Sequence, residues 1–585
     1  MIKIIEQQII DLLAKADITG ENALTSPPNP EMGDFSFACF DSAKKEGKNP
    51  KDVAEEIVGK IKRLKDYKII EEVKAVGPYV NFFLNTSEIA RLMAKEMKNT
   101  KEYGATKVGK GKKVMIEYPS QNSHKEFHIG HLRNVCIGNT LVQLYRKNGY
   151  HVVPVNYVND FGAHVVKCLW GIQKFHEKEM SRQADIENKQ QWLGEVYAEA
   201  SEKAKEFPGA QKEIDALQQK LEARDEETFA LFRETRAWSE QGFDNLLAEL
   251  DVVHADVFYE SDLKDRGQEI VDELLKKGIA KKGEKGAIII DLEKDGLDIA
   301  LLRKATGAGL YLTSDLALAE EKFKKYPVDE SVNITGTEQN FYFKQLFTIL
   351  ECVGFEHKMT HIGYGLVNLP EGKMSSRAGN VILYEDIRDQ VFSRLLRETE
   401  ARHSDWTEAK REDVAQTLTQ GVLKFTMQKH EASKNITFDI KEATSIEGYS
   451  APYVLYVVAR INSLLRKSQA ISHESHTTKK LSPITYHLSP INYDVIVEPE
   501  EKRLLLLIAR YPEVVIDALQ TYNPSAITRY SFDLAQAFND FYNKHSVLEA
   551  GSDDLVRARL ALSGSVKHVL EDALGLLTIE TVDIM

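Results

Sequence analysis

From Val114 to Tyr157 the chain reads strand, helix, strand, and that order constrains its fold more than any other stretch. Val114–Tyr118 and His151–Tyr157 are short apolar runs of strand composition, while Ile129–Asn148 carries helical spacing. Gly149 stands where a helix C-cap belongs. A strand that returns through a helix to a second strand makes a parallel sheet covered by helices. Ligands of such sheets bind at the C-terminal ends of strands, where helix N-termini meet them. The residues at that place are Phe127-His128-Ile129-Gly130-His131-Leu132-Arg133.

The start of the Ile129 helix is expected to offer free backbone N–H groups and a positive dipole end, both suited to phosphate. Gly130 has no side chain, so a nucleotide can approach the backbone there. His128 and His131 are neighbours on one helix face and can donate to phosphate oxygens as charge builds on them. A metal half-site is an alternative for two histidines so spaced, but no third residue has ligand-like spacing. Alone, the tetrapeptide is better read as two ordinary histidines at a helix start. Far downstream, Gly372-Lys373-Met374-Ser375-Ser376-Arg377-Ala378-Gly379-Asn380 forms a glycine-bounded loop between apolar segments. A loop carrying a cation can close over a triphosphate as pyrophosphate leaves, although by itself this pentapeptide is only a basic surface loop.

At 585 residues the chain exceeds what one core supports, so several domains are expected. Residues 1–105 alternate helical and strand-like segments, including helical Ile10–Lys15 and Lys51–Leu64 and a strand pair in Val73–Leu84 turning at Gly77-Pro78. Gly104–Lys113 reads as a linker into a second unit, 106–385. Within it, residues 171–250 are charged and helical, as an insertion would be, and strand-like runs return at Ala287–Asp291, Gly309–Leu312 and Ser331–Thr335. Residues 386–585 are dominated by helical periodicity. There Pro512 is expected to break or restart a helix beginning near Leu504, and Ser472–Pro499 reads mostly as loop.

Several classes are disfavoured. No apolar run approaches the roughly 18 residues of a membrane helix, and the first residues lack a signal-peptide core. Cys39, Cys136, Cys168 and Cys352 lie far apart, so neither a cysteine zinc site nor a disulfide framework is expected, and a reducing cytoplasm is the default. A net charge of −13 argues against nonspecific nucleic-acid binding but leaves room for a local basic surface.

Together and in this order, the two signatures resemble those of class I aminoacyl-tRNA synthetases, and their surroundings resemble the arginyl family. The lead-in Glu117-Tyr118-Pro119-Ser120-Gln121-Asn122-Ser123-His124-Lys125-Glu126 carries a Glu, an Asn and a Lys in that family's relative positions. Tyr157–Gly162, Gly309–Asp315 and Gly336–Gln345 also resemble family segments, with His164 where a glutamine is usual. Asn29–Phe35 and Val76–Phe82 resemble the family's additional N-terminal domain, which contacts the tRNA body. Ser450–Ile461, Phe538–Tyr542, Arg557–Leu562 and the terminal Met585 resemble its helical anticodon-binding domain.

The resemblance implies a multidomain α/β architecture: a Rossmann-like parallel-sheet catalytic domain, an α+β N-terminal domain and an all-α C-terminal domain. It implies ligation of L-arginine to tRNA(Arg) through an arginyl-adenylate, with ATP as substrate and Mg²⁺ arriving on its phosphates. His128, His131, Lys125 and Lys373 would be catalytic, with Lys125 supplying the positive charge that Arg377 leaves missing from the second signature. Gly130, Met374, Ser375 and Ser376 would hold ATP. Glu117, Asn122, Tyr311, Asp315 and Gln339 would bind arginine, a carboxylate being the natural partner of a cationic side chain. Without the resemblance, Glu117 reads as a solvated strand-end charge, Asn122 as a turn residue and Asp315 as a helix N-cap. Tyr342 replaces a common histidine and stays unassigned, and His361–Gly365 is a candidate neighbour of adenine. A monomer that activates arginine only with tRNA bound is the further expectation. Competing readings are a cysteinyl synthetase, which would call for zinc-binding cysteines, a nucleotidyltransferase sharing the first signature, and a catalytically silent tRNA-binding paralogue.

Overall fold

The computed structural model describes residues 1–18, 24–64, 67–182, 186, 188–307, 309–370, 382–474 and 491–585. Five parallel strands form the central sheet: β1 (Lys113–Glu117), β2 (His151–Val158), β3 (Asp256–Tyr259), β4 (Glu330–Gly336) and β5 (Lys358–Tyr364). Their order across the sheet is β5-β4-β1-β2-β3. The chain steps outward from β1 to β3, then returns to the other side of β1 with β4. Strand order thus reverses between β1 and β4, the place where open α/β sheets bind ligands. In that pair Glu117 lies opposite Asn333.

Val114, Met115, Ile116, Val152, Val153 and Val155 are all buried, the pattern of strands covered on both faces. The helix after β1 covers Ile129–Lys147 and ends at Gly149, whose φ of +85° only glycine adopts without strain. Gly309–Leu312, expected as a strand, instead opens the helix Tyr311–Lys325 with Leu310 at its N-cap. Leu312, Leu316, Ala319 and Phe323 continue its helical spacing and are buried, and that burial outweighs the local strand preference of the run. Ile288–Ile290 does form a strand, in a separate antiparallel sheet with Lys281–Lys282 and Ala300–Arg303.

Before the sheet, the helices Ile2–Lys15 and Pro50–Arg63 accompany an antiparallel three-stranded sheet of Phe35–Ala38, Ile70–Val76 and Tyr79–Leu84. Asp34 joins this unit to the C-terminal helices: it accepts from Leu84 N at 2.7 Å and pairs with Lys502 Nζ at 2.7 Å. The charged stretch after β2 folds as helices Ala163–Phe175, Lys189–Glu206, Ala210–Glu222 and Glu226–Glu249 around its own core of Leu169, Trp170, Leu193, Leu217 and Phe232.

The C-terminal region is built from long helices, among them Ala451–Glu474, Pro499–Gln520, Ser525–Lys544 and Asp553–Leu576. Pro512 does not break its helix, which runs through it. Proline leaves the carbonyl four residues earlier without an N–H donor. Here that carbonyl, of Ile508, accepts from the Tyr103 hydroxyl at 2.7 Å, so tertiary contact replaces the lost bond. The expected Ser472–Pro499 loop begins later than anticipated, because the preceding helix extends to Glu474; residues 475–490 lie outside the described residues. Among the described residues no helix is long and apolar enough to cross a membrane.

Candidate active site

A cavity of about 560 Å³ opens over the C-terminal ends of β1 and β4. Every described residue singled out from the sequence lines it, save Gly130: Glu117, Asn122, Lys125, His128, His131, Tyr311, Asp315 and Gln339. Lys373, Met374, Ser375 and Ser376 lie outside the described residues.

The first signature is held by its own backbone and by the chain that follows the second. His128 is the N-cap of the Ile129 helix, and its Nδ1 accepts from Gly130 N at 3.1 Å. His131 Nδ1 accepts in turn from His128 N at 3.2 Å. With both Nδ1 atoms accepting, each neutral ring carries its proton on Nε2. The rings stack with centroids 3.7 Å apart. Burial, reinforced by the charge of Lys125, pushes His128 down to about 4. Burial, then His128 and Lys125, holds His131 well below its usual range. Both rings are therefore neutral Nε2–H donors near pH 7.

Two expectations about this turn change. The first-turn N–H groups are not free for phosphate: Ile129 N donates to Ile382 O at 2.9 Å, and Gly130 N is taken by His128. Ile382 stands two residues beyond Asn380, so the first signature meets through backbone the chain that follows the second. Gly130 is required chiefly by its neighbour, because a Cβ there would stand 2.9 Å from the His128 ring. The helix contributes its dipole and two imidazoles rather than a nest of open amides. Arg133, fully buried two residues on, donates to Gly365 O at 2.5 Å and Glu431 O at 3.3 Å, tying this helix to the chain beyond β5.

The charged insertion braces the lead-in to the first signature from outside the cavity. Gln190 Nε2 donates to Lys125 O at 2.9 Å, and Lys125 Nζ lies 5.1 Å from the Tyr197 ring centre. His124, fully buried, donates its backbone N–H to Ser239 Oγ at 3.0 Å and hydrogen-bonds Thr235 at 2.8 Å through its ring. The residues just before the signature are thus clamped by the helices Lys189–Glu206 and Glu226–Glu249.

On the opposite side, Asp315 opens to the cavity from the Tyr311–Lys325 helix. It sits one turn inside that helix rather than at its N-cap, so a capping role is excluded. The Tyr342 hydroxyl donates to its Oδ2, and the Tyr157 phenol lies beside it. Burial pushes its carboxyl up to about 7, with the Glu117 charge adding to the rise and Tyr342 and Lys322 opposing it. Glu117 is not a solvated charge: it is 3% exposed, pairs with buried Lys322 and accepts from Asn333 Nδ2 at 3.0 Å. Asn122 bridges Asn159 at the cavity edge, and Tyr311 and Gln339 stand exposed at its rim.

Lys322, Asn333, Tyr157 and Tyr342 were not assigned from the sequence, although two carried a signal. Lys322 continues the stripe 315, 318, 319, 322, where Leu318 and Ala319 are apolar and buried and a lysine is out of place. Asn333 interrupts an apolar strand buried on both faces.

Comparisons with known proteins agree along the whole chain. Residues 1–84 match the family model for the arginyl tRNA synthetase N terminal domain, 92–440 that for the catalytic domain of class I (R) tRNA synthetases, and 454–585 the DALR anticodon binding domain. An arginine–tRNA ligase of Clostridium beijerinckii is 32% identical over 568 residues, covering 97% of this chain and 96% of that protein. One from Borrelia hermsii is 31% identical, covering 98% and 97%. The solved arginyl-tRNA synthetase of Thermus thermophilus superposes with a TM-score of 0.77 at 23% identity over all of both chains, a likeness of fold.

Proposed function

The chain belongs to the arginyl-tRNA synthetase family, and from that premise we propose how its cavity carries out the ATP-dependent ligation of L-arginine to tRNA(Arg). The arginine carboxylate attacks the α-phosphate of ATP, giving arginyl-adenylate and pyrophosphate. A terminal ribose hydroxyl of the tRNA then takes the arginyl group and AMP leaves. The observation that carries this reading is the placement, in one cavity, of a carboxyl that has no ion pair among the described residues and two imidazole Nε2–H donors.

His128 and His131 donate to the α-phosphate oxygens as charge builds there, the kind of preorganised stabilisation that contributes most to such reactions. Lys125 and Lys373 share the triphosphate, and Gly130, Met374, Ser375 and Ser376 shape the nucleotide site. Asp315 receives the cationic side chain of arginine, while Asn122, Tyr311 and Gln339 orient its polar groups and Glu117 forms the inner wall. Glu117, Asp315 and Glu338 line the cavity but, among the described residues, make no cluster of three metal ligands there, so Mg²⁺ is better held by the ATP phosphates with which it arrives. Residues 1–105 contact the tRNA body, 106–385 hold the chemistry and 386–585 read the anticodon. The protein works as a cytoplasmic monomer.

The test is tRNA charging with each labelled amino acid in turn, together with pyrophosphate exchange in the presence and absence of tRNA. Arginine alone should be charged, and exchange should appear only with tRNA. Charging of another amino acid would overturn Asp315 as the arginine ligand, and binding of tRNA without any charging would favour a silent paralogue.

A further inference from the structure

We propose that Glu249 is a positioning residue for the first signature. Acting through Tyr384 and Phe127, it sets where the His131 ring stands, and so the rate of adenylate formation rather than the affinity for arginine. The inference deepens the proposed role of His131 and rests on it.

Glu249 is the last residue of the insertion helix Glu226–Glu249, and its carboxylate gathers donors from two later helices. Oε1 accepts from the Tyr384 hydroxyl at 2.7 Å and from Gln420 Nε2 at 3.0 Å, and Oε2 accepts from Arg388 Nη1 at 2.9 Å. Tyr384 and Arg388 belong to the helix Tyr384–Arg402, and Gln420 to the helix Glu408–Met427. Tyr384 is fully buried, so without Glu249 its hydroxyl must lose this acceptor or move, and moving it shifts the chain it belongs to.

From Tyr384 the contact reaches the histidines by two routes. Along the backbone, Tyr384 N donates to Phe127 O at 3.1 Å and Ile129 N to Ile382 O at 2.9 Å, so the start of the signature lies antiparallel to residues 382–384. Through side chains, the Tyr384 ring meets Phe127 edge-on with centroids 5.8 Å apart, and Phe127 lies 5.1 Å from the His131 ring. Phe243, from the insertion helix, also meets Phe127, at 6.3 Å. Phe127 is 3% exposed, and a close-packed interior passes on such shifts instead of absorbing them. The same helix end holds the signature helix at its middle, where Asn139 Nδ2 donates to Leu250 O at 3.0 Å. Glu249 is not among the residues lining the cavity, so its effect on the reaction runs through these contacts. Donors aimed at developing charge depend on exact placement, and a shift of about 1 Å can lower the rate on the order of 100-fold.

The experiment measures arginine-dependent pyrophosphate exchange by the full-length protein with tRNA present, reading kcat and the arginine KM. Glu249→Ala and Tyr384→Phe are each made alone and combined with His131→Ala. Glu249→Ala should lower kcat roughly 10-fold and Tyr384→Phe somewhat less, with the arginine KM within about twofold of the unmodified protein. In the His131→Ala background both changes should be silent to within about twofold, because the ring they place is gone. A merely structural role would cost the same factor in both backgrounds. That equal loss, an unchanged kcat, or a raised KM at normal kcat would overturn the proposal. Should Glu249→Ala not fold, Tyr384→Phe, which deletes one oxygen, still decides. If the unmodified protein shows no exchange with arginine, the arginine reading falls and this one with it. If exchange is normal in His131→Ala, the role of His131 falls and this one with it; if both hold and the losses are equal in the two backgrounds, only this one falls.

Discussion

Two buried acid–base pairs in this molecule are built very differently. In the C-terminal helices, Glu501 and Arg559 are 0% and 6% exposed. Glu501 Oε1 accepts from Arg559 Nε at 2.7 Å, Oε2 accepts from the backbone of Val497 and Glu498 at 2.9 Å each, and Arg559 Nη1 donates to Ser546 O at 2.8 Å. Glu501 thereby caps its own helix and joins it to another. In the cavity, Lys322 is as deeply buried, yet among the described residues its ammonium makes no hydrogen bond beyond its contact with Glu117. Burying a charge is costly unless it is paired and its remaining hydrogen-bonding capacity met. The first pair meets that condition and serves the architecture. The second meets it only in part, because it faces an open cavity rather than packed helices.

The largest effect that would break this contrast is expected in the helices. Arg559→Met strands a buried carboxylate and should cost about 3–5 kcal/mol, read as a fall in Tm, while any folded protein keeps its affinity for arginine. A loss of arginine affinity in folded Arg559→Met would show the two regions to be coupled. The converse variant, His131→Ala, should lower adenylate formation by roughly 10²–10³-fold with little change in Tm or tRNA binding. Near-normal single-turnover rates would remove His131 from the catalytic set.

A smaller effect is expected from pH, and it sharpens the contrast further. Burial raises Asp315 in the folded protein from 3.8 to about 7. A raised folded-state value means that the ligand-free protein holds this proton more tightly than the unfolded chain. Its contribution to stability is therefore fully present below the unfolded value and is lost as pH rises through about 7. Arginine needs the ionised form, so its affinity should improve by about tenfold between pH 6 and pH 8, with a proton released on binding at the lower pH. Calorimetry in buffers of different ionisation enthalpy reads both quantities. Burial also pushes Glu260, beside Asp315, up to about 7. Asp315→Asn should abolish the pH dependence and Glu260→Gln should preserve it; the reverse outcome would move the titration to Glu260.

What could be read from the residues divides along the same line. Strand, helix and strand around the first signature appear within a residue or two of expectation, because apolar periodicity and a capping glycine are local signals. Asp315, by contrast, looked like a cap and is a half-buried carboxyl lining the cavity, since the helix starts earlier than strand-like Gly309–Leu312 suggested. The first-turn amides looked free and are not, because their acceptors include a carbonyl from far along the chain. Pro512 looked like a break and is not, because Tyr103 supplies the missing donor.

The sequence alone determined which chemical groups this protein owns: two imidazoles at a helix start, a basic loop downstream, carboxylates and tyrosines near strand ends. It also determined the parallel-sheet architecture, since hydrophobic period is encoded residue by residue. Only the tertiary structure decided which charges cancel and which remain. That depends on the β1–β4 register, on a lysine two helical turns beyond Asp315 and on how deeply each group is withdrawn from water. The physical reason is that periodicity is a property of neighbours in the chain, whereas desolvation and charge pairing belong to neighbours in space.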